Sequence, residues 1–282
     1  MSESSVKLPL QVGQIISESF QILRRQFWRL IVLSLLPVLV IGAAIGALSF
    51  SLASGGDLQS ILDDEGTVGP AFFLIYGFVM IAFAFYFVTL IQLAYESKLE
   101  RSPHLGPILM RALLKLVPVT VTAVVIMVLA SLPPIAVALA LADTLSVSLG
   151  GPLLLGTMLF SLWIYLALSM AVPAVILEKS LFGALRRSLF LTKGYRWRIF
   201  GAVICTLLGT WLISMISSVI PMVLVGVLPL QGEILGLFVF VPVFVGIMFA
   251  YGFPNIALAL IYARLREIKE GASLQDIAAV FD

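Results

Sequence analysis

Charge is scarce in this chain. Asp, Glu, Lys and Arg together make up 11% of its 282 residues, against roughly 25% in an ordinary soluble domain. With 61% apolar residues and a mean hydropathy of +1.14, it has too few polar groups to cover a surface facing water. That excludes a soluble globule, a disordered chain and a nucleic-acid binder. A single cysteine, Cys205, leaves no intramolecular disulfide and no CxxC site. A single histidine, His104, leaves almost nothing from which to build a His-rich metal site or a His-dependent catalytic pair. No P-loop, HExxH, GxSxG or kinase-like set is present. No catalytic residue, metal or cofactor is therefore expected. Residues 1–29 do not read as a secretory signal peptide, because the polar stretch is long and its arginines lead into a run too long for an h-region.

What the chain has instead is long uncharged runs. Crossing about 30 Å of hydrocarbon at 1.5 Å per residue takes ~20 apolar residues. Six runs qualify: Leu30–Ala53, Pro70–Ala94, Leu116–Ala142, Pro152–Leu177, Ile199–Val227 and Leu235–Ala263. None alternates with period two, so they are expected to be helices rather than barrel strands. All 17 basic residues fall before run 1, between runs 2 and 3, between runs 4 and 5, and after run 6. The other connections, 54–69, 143–151 and 228–234, hold none, and carry Asp57, Asp63, Asp64, Glu65, Asp143 and Glu233. By the positive-inside rule, both termini lie in the cytoplasm.

Each odd-numbered run follows an amphipathic stretch. Before run 3, Leu105, Ile108, Leu109, Ala112, Leu113 and Leu116 fall on one helical face. Before run 1 the face is Val12, Ile15, Ile16, Phe20, Leu23 and Phe27. Before run 5 it is Leu181, Ala184, Leu185, Ser188, Leu189 and Leu191. Two of these segments match without gaps at an offset of 169: Ser19 with Ser188, Arg24 with Lys193, Trp28 with Trp197, and Arg29 with Arg198. The expected architecture is all-α and polytopic, a single membrane domain over 1–282. It has six transmembrane helices in three parallel repeats of an interfacial helix plus a hairpin, at about 8–94, 103–177 and 180–263, followed by a tail at 264–282. Within the tail, Ser273 to Asp276 reads as a capping box opening a small helix.

Basic amphipathic helices favour an anionic leaflet. The candidate headgroup contacts are Arg24, Arg25, Arg29, Arg186, Arg187, Lys193, Arg196, Trp197 and Arg198, with the two tryptophans in the interfacial belt. Gly194 is expected to stop the helix before run 5. Glu178 is expected to pair with Arg186 or Arg187, or to favour the start of the basic helix. Prolines punctuate most runs, and Pro254–Asn255 is the best candidate for a polar break. Gly42 and Gly46 form a GxxxG pattern, expected to pack within the monomer. No charged residue lies at mid-membrane, which argues against ion or proton coupling.

The stretch Val172-Pro-Ala-Val-Ile-Leu-Glu178, with Ala184-Leu-Arg-Arg-Ser188, Leu191-Thr-Lys-Gly194 and Trp197-Arg198, resembles the signature of the family named for the membrane domain of glycerophosphoryl diester phosphodiesterases. Stand-alone YciC-like bacterial inner-membrane proteins are similar. Val12-Gly13 to Arg29, and Ile261-Tyr-Ala-Arg-Leu-Arg266 with Glu270-Gly271, also resemble family features. The resemblance implies a bacterial inner-membrane protein of six spans. Some members are fused to a metal-dependent phosphodiesterase domain. That activity is not carried over, because no catalytic domain is expected after residue 263 and one histidine cannot supply an acid, a base and metal ligands. The expectation is a non-enzymatic protein of envelope scaffolding or lipid handling. Its partners would be anionic lipids and a further membrane protein, with no nucleic acid. The alternative is a small-solute transporter or channel gated at proline breaks.

Overall fold

Every regular element among the described residues of the computed structural model is a helix; those residues are 11–53, 68–99, 105–141, 147–177, 181–227 and 232–271. In chain order they are α1 (Val12–Arg25), α2 (Phe27–Ala53), α3 (Val68–Lys98), α4 (Leu105–Leu141), α5 (Val147–Leu168), α6 (Ala171–Leu177), α7 (Leu181–Thr192), α8 (Arg196–Val227) and α9 (Gly232–Glu270). Among the described residues five stretches are long and apolar enough to cross a membrane: Gly77–Lys98, Leu105–Ala140, Gly150–Leu177, Arg196–Val225 and Phe238–Glu270. The described apolar part of α2, Phe27–Val40, is shorter. The coarse architecture is that of a multi-pass helical membrane protein. His104, Glu178, the acidic residues at 57–65 and the 273–276 capping box lie outside the described residues.

Four consecutive pairs of long helices pack side by side: α2 with α3, α3 with α4, α4 with α5, and α8 with α9. Helix α9 is central, touching α1, α2, α3, α6, α7 and α8. The core runs through Leu30 of α2, Tyr86 and Leu90 of α3, Ile199 of α8, and Ile256 and Tyr262 of α9. Apolar attraction does not drive helices together in lipid, so close packing must. Gly246 of α9 supplies it: a Cβ there would stand 2.7 Å from Ser217 Cβ on α8. Outward, α4 leaves Val121, Val124, Met127 and Leu132 exposed, and α8 leaves Leu208, Trp211, Leu212 and Met215 exposed.

Several details depart from the sequence reading. The lead-in to run 3 is no separate helix. It continues into the span as the 37-residue α4, about 55 Å long against ~30 Å of hydrocarbon. No glycine turn interrupts it. Pro37, Pro118, Pro133, Pro134, Pro221, Pro242 and Pro254 all sit inside unbroken helices. Pro254–Asn255 is therefore not a break: Asn255 Nδ2 donates to the Tyr251 carbonyl at 2.7 Å and α9 passes straight through. The break lies at Ser169–Met170, which separates α5 from α6 within run 4. Pro173, four residues on, has no N–H and crowds the Ser169 carbonyl. Gly42 and Gly46 are exposed, and an added Cβ at either meets nothing within 4 Å, so this GxxxG packs against no described element of the monomer.

The lead-ins α1 and α7 are separate helices, but protein covers part of each apolar face, while Phe20 and Leu189 stay exposed. Ile15, Ser19, Ile22 and Leu23 of α1 are buried, and α1 lies on α8 and α9. Ala184, Ser188, Leu191 and Thr192 of α7 are buried, with α7 on α5, α6 and α9. Helical periodicity calls for an apolar neighbour without saying whether it is lipid or protein. The two burial patterns coincide at seven positions at the offset of 169, and differ at Gln26 and Ser34, which are buried where Tyr195 and Val203 are half-buried. Ile15, Ser19, Ile22, Leu23, Leu30, Leu33 and Pro37 are buried, as are Ala184, Ser188, Leu191, Thr192, Ile199, Ala202 and Thr206.

Candidate functional site

The basic segments gather at one end of the bundle, where carboxylates take up some of the cations. Lys98 pairs with Glu18 at 2.6 Å, Arg111 with Glu96 at 3.0 Å, and Arg264 with Glu267 at 2.6 Å. Glu270 takes Arg187 at 2.6 Å and Arg266 at 3.0 Å. Arg187 Nε also donates to Tyr262 Oη at 3.2 Å, and Arg266 to Tyr95 Oη at 3.4 Å. Lys115 Nζ donates to the Val175 carbonyl of α6 at 2.8 Å. The pairs join α1, α3, α4, α7 and α9 at that end. Each is worth about 0–1 kcal/mol when partly exposed, so what they supply is mutual placement more than stability.

The nine candidate headgroup residues divide accordingly. Arg187 is engaged by Glu270, and Arg29 donates to Gln26 Oε1 at 2.7 Å. Arg24, Arg25, Arg186, Lys193 and Arg198 are exposed and have no carboxylate partner among the described residues. Trp28 is 77% exposed and Trp197 83%. The Arg196 guanidinium lies over the Trp163 ring, 4.0 Å from its centroid, with Nε buried and without a hydrogen bond.

The turn between α7 and α8 sets this geometry. Gly194 takes φ +87°, a left-handed conformation open to glycine at little cost. The Tyr195 amide then donates back to the Thr192 carbonyl at 3.0 Å, and Ile199 to Tyr195 at 2.9 Å as α8 begins. Two cavities flank this turn and share Lys193 and Gly194. One is an apolar groove of about 680 Å³, walled by Leu159, Leu162, Trp163 and Leu166 of α5 and by Phe200 of α8, with Lys193, Arg196 and Trp197 at its mouth. The wall residues fall at i, i+3, i+4 and i+7, one face of α5. The other is a cleft of about 350 Å³ lined by Lys193, Tyr195, Arg198, Ile268 and Lys269. Lys269 Nζ stands 5.5 Å from the Phe190 ring centroid and 5.6 Å from that of Tyr195, with Arg198 5.9 Å from Tyr195 on the same cleft.

A third cavity, about 380 Å³, sits at the α1–α2 junction, lined by Phe20, Leu23, Arg24, Phe27, Trp28 and Phe249. Arg24 and Trp28 hold there the places that Lys193 and Trp197 hold at the α7–α8 turn. That junction is milder. Only Gln26 separates the helices, and the backbone ladder continues through it, Gln26 to Ile22 at 2.8 Å and Leu30 to Gln26 at 2.9 Å.

The structure thus brings Lys193, Arg196, Trp197 and Arg198 together, and sets Arg24 and Trp28 in a separate cavity. Trp163, Tyr195 and Lys269 are additions that sequence reasoning missed. Trp163 lies in a uniformly apolar span, and Lys269 belongs to a segment distant in sequence. No family model matches the chain, and neither a curated protein nor a solved structure is found to match it.

Proposed function

We propose that this protein is a non-enzymatic lipid-binding protein of the bacterial inner membrane, with six spans and both termini in the cytoplasm. It holds anionic phospholipid headgroups of the cytoplasmic leaflet at the junctions where basic helices enter the membrane. The observation that carries this reading is the groove at the α7–α8 turn: an apolar wall on α5 and α8 opening onto Lys193, Arg196 and the exposed Trp197. An acyl chain fits the wall, a phosphate fits the cations, and an exposed indole belongs at headgroup level. Among the described residues carboxylates hold Lys98, Arg111, Arg187, Arg264 and Arg266 but not Lys193 or Arg198, which leaves those two for an outside anion.

The topology rests on the same end of the bundle. α1, the ends of α3 and α9, the start of α4, and α7 all meet there. That meeting supports hairpins that leave this end and return to it, and the basic charge of the end supports a cytoplasmic side. Parallel repetition of the first and third units is supported by their coincident burial at the offset of 169 and by the matching Arg24–Trp28 and Lys193–Trp197 cavities. The resemblance of residues 172–198 to the phosphodiesterase membrane-domain family supports the same assignment of membrane and compartment.

The test is lipid retention. Wild-type protein and a Lys193→Gln/Arg196→Gln variant are released from nanodiscs of phosphatidylglycerol and phosphatidylethanolamine and weighed by native mass spectrometry. Each basic residue near an anionic surface contributes about 1 kcal/mol, so the double variant retains roughly thirtyfold less phosphatidylglycerol. Equal retention contradicts the reading.

A further inference from the structure

We propose that the α7–α8 turn selects a lipid whose headgroup carries a diphosphate, over one carrying a single phosphate. This rests on the headgroup reading above and adds the class of ligand to it. The apolar groove and the cationic cleft are neighbours across Gly194, and Lys193 lines both. A chain lying on Leu159, Leu162 and Trp163 brings its first phosphate to Lys193 and Arg196 at the mouth of the groove. The cleft beyond the turn then offers two more cations, Arg198 and Lys269.

The charge balance decides between headgroups. Lys193, Arg196, Arg198 and Lys269 supply four positive charges, and no carboxylate lines either cavity among the described residues. The acidic side chains on either side of Lys269, Glu267 and Glu270, are committed to Arg264 and to Arg187 with Arg266. A single phosphodiester would engage the groove and leave the cleft cations unanswered, whereas a diphosphate spans both. The cleft cations are also held in place: Lys269 stands against the rings of Phe190 and Tyr195, and Arg198 against Tyr195. Such seating lowers the ordering entropy lost when an anion binds. The absence of space beside Gly194 for a strained side chain is not the reason for a glycine there, since a Cβ would meet nothing within 4 Å. The glycine serves the φ of +87° that puts the two cavities back to back.

The occupant is a lipid and not a free anion, because the groove wall is apolar and continuous with the exposed surface of α5 and α8. The test compares farnesyl diphosphate, farnesyl monophosphate and inorganic diphosphate as competitors for the purified full chain in phosphatidylglycerol nanodiscs, read by native mass spectrometry. Two extra cation contacts predict about thirtyfold tighter binding of the diphosphate than of the monophosphate. Lys269→Gln removes one of the two and should cut that ratio about fivefold. Equal binding of the two farnesyl compounds by wild type overturns the inference, as does an unchanged ratio in Lys269→Gln. Inorganic diphosphate binding as tightly as the farnesyl compound overturns the lipid assignment. In each of these cases, lower phosphatidylglycerol retention by Lys193→Gln/Arg196→Gln than by wild type leaves the headgroup reading standing, and that reading fails if the two retain it equally.

Discussion

Ser188 on α7 closes the break between α5 and α6: its Oγ donates to the Ala167 carbonyl at 2.8 Å and accepts from the Met170 amide at 3.1 Å. Thr192 Oγ1 lies 3.1 Å from the same carbonyl. A break inside a membrane helix frees backbone groups that lipid cannot satisfy, and here the neighbouring helix satisfies them. Ser188→Ala strips the Met170 amide of its partner and should cost about 1–2 kcal/mol. Ser19→Ala is the aligned control. Ser19 Oγ bonds only the Ile15 carbonyl of its own helix, and its loss should cost about 0.5 kcal/mol or less. Unfolding of the detergent-solubilised variants, followed by circular dichroism, measures both.

Gly246 and Ser217 fix the approach of α9 to α8. Gly246→Ala places a Cβ 2.7 Å from Ser217 Cβ, an overpacking that costs about 1–3 kcal/mol. Ser217→Gly should restore most of that loss in the double variant, because it removes the atom that is struck. Gly42→Ala, with open space around it, should be neutral or stabilising by about 0.5–1 kcal/mol from helix propensity. Thermal midpoints of the four proteins decide the matter.

Gly194→Ala puts a Cβ on a residue at φ +87°, which costs about 1–2 kcal/mol. Gly194→Asn should cost less, since Asn tolerates the left-handed region. Loss of phosphatidylglycerol retention should follow the same order, Ala above Asn, because the turn sets the mouth of the groove. Retention independent of the residue at 194 would detach the site from the turn.

Glu270 is the acid that draws Arg187 and Arg266 together. Glu270→Gln should destabilise the bundle by about 1–2 kcal/mol. The difference from wild type should shrink as sodium chloride is raised from low to molar concentration, since part of it is Coulombic. A salt-independent difference would mean that the carboxylate acts through shape alone.

How far the sequence carries depends on the kind of feature. The long helices were legible because runs without charge admit little else in a bilayer. The turn at Gly194 was legible because glycine just past a basic amphipathic helix has one common use. The break at Ser169–Met170 was not, because Pro173 resembles Pro118 and Pro221, which leave their helices intact. What distinguishes Pro173 is a pair of hydroxyls on α7, a tertiary fact. Ser188 and Thr192 stood four residues apart on an otherwise apolar face, and that spacing was the available signal. The partition of the arginines was also hidden. Arg186 and Arg187 are adjacent in sequence, yet Arg187 meets Glu270 while Arg186 stays exposed.

The most direct test maps where the lipid lies. Phosphatidylglycerol with a photoactivatable diazirine in its acyl chain is cross-linked to the protein in vesicles, and the adducts are located by peptide mass spectrometry. Headgroup capture at the α7–α8 turn predicts adducts concentrated between Leu159 and Leu166 and at Phe200, and depleted there in Lys193→Gln/Arg196→Gln. Adducts spread over all exposed apolar surface, as heavy at Leu139 and Met222 as in the groove and unmoved by the substitutions, would contradict it.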